Sequence, residues 1–345
     1  MSRIWQILGC KDKNNFSIIK CKSNIFLLLS VIYDVRKRLG VILVLMWLGV
    51  VSAMAQQEPS FSHYWALEPS FNPAAVGKEQ KLNVTGAYAM TMVGFEHNPR
   101  TMYVSGDMPF FLLNSYHGVG LQLFNDDIGL FSHQRIALQY AYKHRLLGGM
   151  LSIGVQAALL SEKFKGSEID LREDDPLLTK ADVNGTSTDF SAGVYYTHNR
   201  WYAGFSVLHA TAPSVELGDR VVYDVSRAYY LTGGYNIKLR NPFLTIHPSL
   251  LARYDGVGYR VDVTARLKYQ HEKRVMYAGV AYSPTNSVTA MIGGMFHGVS
   301  LGYSYEFYTS GISFKNGSHE LFVGYQTELN FSKKGRNRHQ SVRIL

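Results

Sequence analysis

The chain is 345 residues long, with 35 Lys/Arg against 26 Asp/Glu and a formal net charge of +9 at pH 7. Residues 1–55 carry most of that excess, with eight Lys/Arg and two Asp/Glu, and leave 27 basic against 24 acidic side chains beyond them; the charge therefore does not argue for nucleic acid. Both cysteines, Cys10 and Cys21, lie in the same segment, which excludes a disulfide framework, a thiolate metal site and a catalytic thiol from the rest of the chain.

The first element is a secretory signal peptide. Arg36-Lys37-Arg38 is its basic region, Val41–Val51 its apolar region, and Ala53-Met54-Ala55 a small-x-small cleavage site. The apolar run is shorter than the roughly 20 residues that a helix needs to cross a bilayer. Residues 1–35 precede the signal and are set aside from fold reasoning. Cleavage after Ala55 leaves a lead-in over 56–80. Within it Asn72-Pro73 favours a turn, because proline fixes φ and restricts its predecessor, and Gly77 can adopt positive φ. Phe61, Tyr64, Trp65 and Phe71 make this segment rich in rings. Three uses stay open for it: plugging a barrel mouth, docking a partner, or packing against the base of the first strand.

From Lys81 to Phe331 one pattern recurs about fourteen times: short stretches that alternate apolar with small or polar residues, separated by turn residues. The predicted strands are 81–92, 100–109, 116–126, 131–143, 150–163, 187–198, 201–210, 227–239, 243–254, 257–270, 274–283, 287–297, 299–309 and 318–331. In 257–270, Tyr259, Val261, Val263, Ala265, Leu267 and Tyr269 share one face, while Arg260, Asp262, Thr264, Arg266, Lys268 and Gln270 share the other. So many two-faced strands behind a secretion signal predict an all-β fold, a transmembrane antiparallel β-barrel of about 14 strands in a bacterial outer membrane. In lipid every backbone group must be paired, and a closed sheet has no free edge. With both ends in the periplasm, connections after odd-numbered strands face outward and are the longer ones. The two longest, 164–186 and 211–226, follow the fifth and seventh strands. The segment Phe110–Ser115 is apolar for a periplasmic turn, and is expected to pack inside the barrel mouth. Residues 332–345 form a basic tail, read as a solvated end rather than a docking segment.

Chemistry is sparse. Asp126-Asp127 falls at an outer turn and is expected to be solvated. Glu168, Asp170, Glu173, Asp174, Asp175 and Asp182 crowd one outer loop but lack the spacing and central glycine of an EF-hand, so a solvated loop is favoured over a calcium site. Arg260, Asp262, Arg266 and Lys268 face the lumen, where pairing across strands is preferred to setting ion selectivity. Ser304 and His297 on neighbouring strands are the only pair resembling an enzyme's. No phosphate loop and no catalytic triad appears, so no enzyme activity and no cofactor or metal is expected.

Several places carry a family resemblance. The lead-in reads Glu58-Pro59-Ser60-Phe61-Ser62-His63-Tyr64-Trp65 and then Pro69-Ser70-Phe71-Asn72-Pro73-Ala74-Ala75-Val76-Gly77. With Gly302-Tyr303-Ser304-Tyr305-Glu306 and Gly317-Ser318-His319-Glu320, in this order and spacing, the chain resembles the PorP/SprF family of type IX secretion outer-membrane proteins. Glu306 departs mildly, since the family more often has Asp there. The resemblance implies a non-enzymatic barrel that helps to export or retain large surface cargo, adhesin-like proteins with C-terminal sorting domains, in gliding and related bacteria. It implies partners in the same machine, including a periplasmic peptidoglycan-binding lipoprotein, besides outer-membrane lipid. Family-motif and docking candidates are Phe61, Tyr64, Trp65, Asn72, Pro73, Gly77, Tyr303, Tyr305, Glu306, His319 and Glu320. The rival reading is a transport barrel for small or apolar solutes. It would need a hatch, for which the lead-in is short, or a constriction loop folded inward after the fifth strand.

Overall fold

The computed structural model describes residues 59–79, 81–168, 182–218, 221–256, 258–272, 274–284, 286–309 and 316–328. The signal peptide, residues 1–35, most of the acidic loop and the basic tail lie outside them. Seven strands lead the chain: β1 (Lys81–Met90), β2 (Arg100–Leu112), β3 (Ser115–Ile128), β4 (Phe131–Leu146), β5 (Gly149–Phe164), β6 (Val183–Thr197) and β7 (Trp201–Leu208). Two short strands, β8 (Ser214–Leu217) and β9 (Val221–Asp224), pair only with each other. Then come β10 (Ala228–Tyr235), β11 (Ile237–Lys238), β12 (Leu244–Tyr254), β13 (Tyr259–His271), β14 (Arg274–Ser283), β15 (Ser287–Phe296), β16 (Val299–Tyr308) and β17 (Ser318–Glu328).

Every wall strand pairs antiparallel with its neighbours. Two further pairings close the ring: β10 joins β7 to β12, and β1 joins β17. With β10 and β11 counted as one interrupted strand, the wall has fourteen strands, as the alternation predicts. Closure leaves no edge, which is the condition for a sheet to stand in lipid. Side chains obey period two. On β4, Ile136, Leu138 and Tyr140 point out and stay exposed, while Ala137, Gln139 and Ala141 point in and are buried. On β13 the two predicted faces are found, with Val263, Leu267 and Tyr269 outside and Asp262 and Thr264 buried inside. The apolar band therefore faces lipid and the polar rows face the lumen.

Connections at one end are tight, such as Leu113-Asn114, Leu147-Gly148 and His297-Gly298. The other end carries the long ones, 165–182 and 209–227, and by the rule for such barrels is the outer end.

Two expectations need correction, and the connection after β7, which no predicted strand covers, has structure of its own. Its β8–β9 hairpin buries Val215 and Leu217 and lies against β5 and β6, where Gly185 leaves room for the main chain of Glu216. This is an inward-folded element, but it follows the seventh strand and not the fifth. Phe110–Ser115 does not pack in the mouth. The ladder continues from Phe110↔His117 to Leu112↔Ser115, so the tip follows the strands out, leaving Phe111 57% and Leu113 86% exposed. Asp126 is not solvated. It points inward, is buried, and accepts a 2.6 Å hydrogen bond from Thr101 Oγ1.

Candidate functional site

The lead-in occupies the lumen. A chain of irregular conformation cannot pair its own amides and carbonyls, and once buried each must find a partner. The inward polar rows supply them. Ser152 Oγ donates to Ala74 O at 2.6 Å, Ser206 Oγ to Phe71 O at 2.6 Å, Gln139 Nε2 to Pro69 O at 2.7 Å, and Arg135 Nη2 to Ser70 O at 3.3 Å. In the opposite sense Gly77 N donates to Asp107 Oδ2 at 2.7 Å. Ser62 N and His63 N donate to the two carboxylate oxygens of Glu320 at 2.5 and 3.0 Å. The His63 ring adds a 2.6 Å contact to the same carboxylate. These contacts come from β2, β4, β5, β7 and β17, so the segment is a plug held around the circumference.

Shape reinforces the polar anchoring. Cβ atoms placed on Gly118, Gly154 or Gly193 would run into Val76, the Pro73–Ala74 main chain or the Asn72 side chain; glycine lets the plug backbone lie directly on the wall. Internally, Asn72 caps the short Pro73–Ala75 turn by accepting from Ala74 N at 2.9 Å. Lys78 Nζ donates to Glu68 Oε2 at 2.8 Å and to Tyr195 OH at 3.0 Å, tying the end of the plug to its middle and to β6. Gly77 has φ +60°, and a Cβ there would meet Gly118 Cα at 2.8 Å. Gly77→Ala is therefore expected to cost about 1–3 kcal/mol through backbone strain and crowding; the midpoint of thermal unfolding of the purified barrel measures it.

The predicted residues divide by the direction in which they point. Phe61 packs on Tyr103 and Phe124 with ring centroids 5.9 and 6.5 Å apart. Tyr64 OH bonds Ser249 Oγ at 2.8 Å. Trp65 lies under the Arg266 guanidinium, 3.8 Å from ring centroid to Cζ, a cation–π contact in a site shielded from water. Phe61, Tyr64, Asn72, Pro73 and Gly77 are all buried. Of the three uses open to the lead-in, the geometry is that of a plug anchored to the wall at both its ends. Glu306 also faces inward. It accepts from Arg260 Nη2 at 2.7 Å and from the Ser287 hydroxyl, while Arg260 Nε donates to Asp262 at 2.9 Å. The lumen charges thus tie wall to wall or wall to plug. Tyr303, Tyr305 and His319 point outward instead. The Tyr303 hydroxyl and His319 Nδ1 share a 2.7 Å hydrogen bond, and Tyr305 meets the same ring edge-on.

Sequence reasoning did not identify Asp107, Arg135, Gln139, Ser152 and Ser206 as the plug's wall contacts. Their only signal is polarity on the inward period, which marks a lumen without saying what fills it. His297 sits exposed on a turn while Ser304 is buried mid-strand, so the enzyme-like pair is not brought together. Of the acidic loop only Glu168 and Asp182 are described. Hydrogen bonds from Ser167 hold the Asp182 carboxyl below its ordinary range. No cluster of three metal-ligating side chains occurs among the described residues.

A family model for the type IX secretion system membrane protein PorP/SprF matches residues 53–325. No curated protein matches the chain. Among solved structures, the CymD monoaromatic hydrocarbon channel aligns with TM-score 0.47 and 10% identity over 76% of this chain and 93% of its own. A Pseudomonas aeruginosa FadL homologue aligns with TM-score 0.46 and 12% identity over 74% of this chain and 92% of its own. A mutant porin of Rh. blastica aligns with TM-score 0.32 and 12% identity over 71% of this chain and 99% of its own.

Proposed function

Because the chain belongs to the PorP/SprF family of type IX secretion system membrane proteins, we propose that it serves as a non-enzymatic outer-membrane component. In this role it supports export or surface attachment of large adhesin-like cargo with C-terminal sorting domains, including cargo used in gliding. A signal peptide ending at Ala55 delivers it, and its partners include a periplasmic peptidoglycan-binding lipoprotein of the same machine. The observation that carries this reading is the family match over residues 53–325, and the plug agrees with it. Residues 59–77 lie in the lumen and are bonded to β2, β5, β7 and β17, so the outer face and the two ends of the barrel remain for protein contact. Transport barrels are plugged as well, so the plug is shared by both readings, and the family match over residues 53–325 favours secretion.

Quantitative proteomics of the cell surface and the medium, with and without the gene, tests the reading. One or a few large proteins with C-terminal sorting domains are expected to leave the surface on deletion. An unchanged exported set, with reduced uptake of a small apolar solute, would instead favour the transport barrel.

A further inference from the structure

Four tight turns at the inner end share one backbone geometry. Their first residues, Leu113, Leu147, Glu272 and His297, have φ of 49°, 48°, 52° and 50°. This left-handed conformation suits glycine or asparagine and disfavours leucine. Glu272 and His297 put polar groups into water. Leu113 and Leu147 put leucines there, each 86% exposed, on the turns β2–β3 and β4–β5. Those hairpins are adjacent, because β3 pairs with β4, so the turns sit two strand spacings, roughly 10 Å, apart. Phe111 and Leu112, also exposed, flank the first and Leu146 the second. Folding alone accounts for neither leucine.

The bilayer does not cover them either. On this side of the wall the inner aromatic belt is formed by Phe110, His117, Tyr140 and Tyr142. His117 stacks on Phe110 at 5.1 Å and shares a 2.7 Å hydrogen bond with Tyr140 OH. Such rings mark the membrane–water boundary. Leu113 lies three residues beyond Phe110 and Leu147 five beyond Tyr142. At about 3.4 Å per residue and a tilt of about 40°, the steps are ~8 and ~13 Å along the barrel axis. The headgroup layer is only ~5–8 Å deep, so Leu147 stands in the periplasm and Leu113 at its edge. The surrounding rim is basic: exposed Arg145, Arg200, Lys238, Arg240 and Arg274 face exposed Glu272 and Glu328 among the described residues.

We propose that Leu113 and Leu147, with Phe111 and Arg145, form a docking surface for a periplasmic protein that offers an apolar groove bordered by carboxylates. The proposal rests on the secretion reading above and assigns it a surface.

The test places p-benzoylphenylalanine at position 113, 147, 272 or 297 of the full chain in cells. The expected result is light-dependent attachment to one and the same secretion component at 113 and 147 and not at 272 or 297, with yield falling about fivefold when Arg145→Glu is added. The double variant Leu113→Asn/Leu147→Asn, whose asparagines suit the left-handed turns, is expected to keep the heat-modifiable migration of a folded barrel while surface cargo falls about tenfold. Adducts with phospholipid only, with a second copy of this chain, or with nothing overturn the proposal, as does normal cargo in the double variant. If gene deletion removes the cargo and the double variant does not, the surface is wrong and the secretion function stands. If deletion itself leaves the cargo in place, the function is wrong.

Discussion

A Gly154→Leu variant is expected to insert as an intact barrel and to conduct ions about an order of magnitude better than the parent chain in planar bilayers. The side chain at 154 points inward, where a Cβ alone would collide with the main chain of Pro73 and Ala74. A leucine cannot fit beside the plug, and one of the two must yield. The wall is the stronger partner. β5 is paired along its whole length with β4 and β6, whereas the plug is held by separate side-chain contacts of about 0.5–1.5 kcal/mol each, more where a charge takes part. With the plug out, a fourteen-stranded ring with polar inner rows is wide enough for water. Unchanged conductance, with the midpoint of unfolding lowered, would mean that the wall had given way instead.

Glu320→Ala is expected to free the upper end of the plug and to destabilise the barrel by about 3–5 kcal/mol, the cost of leaving several hydrogen-bonding groups without the buried carboxylate they share. Glu320 accepts from the amides of half-buried Ser62 and buried His63 and contacts the His63 Nδ1, so the substitution removes the partner these three groups share. Both cysteines lie in residues 1–55, which makes a Ser62→Cys probe clean in the barrel. Thiol labelling at position 62 should be slow in the parent and rapid with Glu320→Ala. Glu320→Gln, which keeps an acceptor oxygen, should fall between them. Equal labelling in all three would show that Glu320 does not hold the plug.

These variants separate what is local in this protein from what is not. A strand sends alternate side chains to opposite faces wherever it lies. Reading Tyr259, Val263 and Leu267 against Asp262, Thr264 and Arg266 was therefore enough to find the lipid face, the lumen face and fourteen strands. The parity of long and short connections then oriented the barrel, and the turn residues bounded its strands to within a few positions. Arg260, Asp262, Arg266 and Lys268 were placed on the lumen face by the same counting, whereas Glu306 and Glu320 were grouped with Tyr303 and Tyr305 until the structure turned the first two inward and the others outward.

What fills the lumen could not be counted. Glu320 and His63 are 257 positions apart in the chain and Ser206 and Phe71 are 135, and their contacts exist only because closing the ring brings every inward row around one axis. The lead-in has no period of its own, so its rings were compatible with a plug, a docking arm or a strand-base contact until the wall stood around it. The β8–β9 hairpin escaped notice for a related reason. Its four-residue strands carry too little alternation to stand out, and they are ordered by packing on β5 and β6. Sequence alone determined the barrel, because its rule repeats at every second residue. Tertiary structure decided the plug, because its partners are scattered over β2, β4, β5, β7 and β17 and meet only once the sheet has closed.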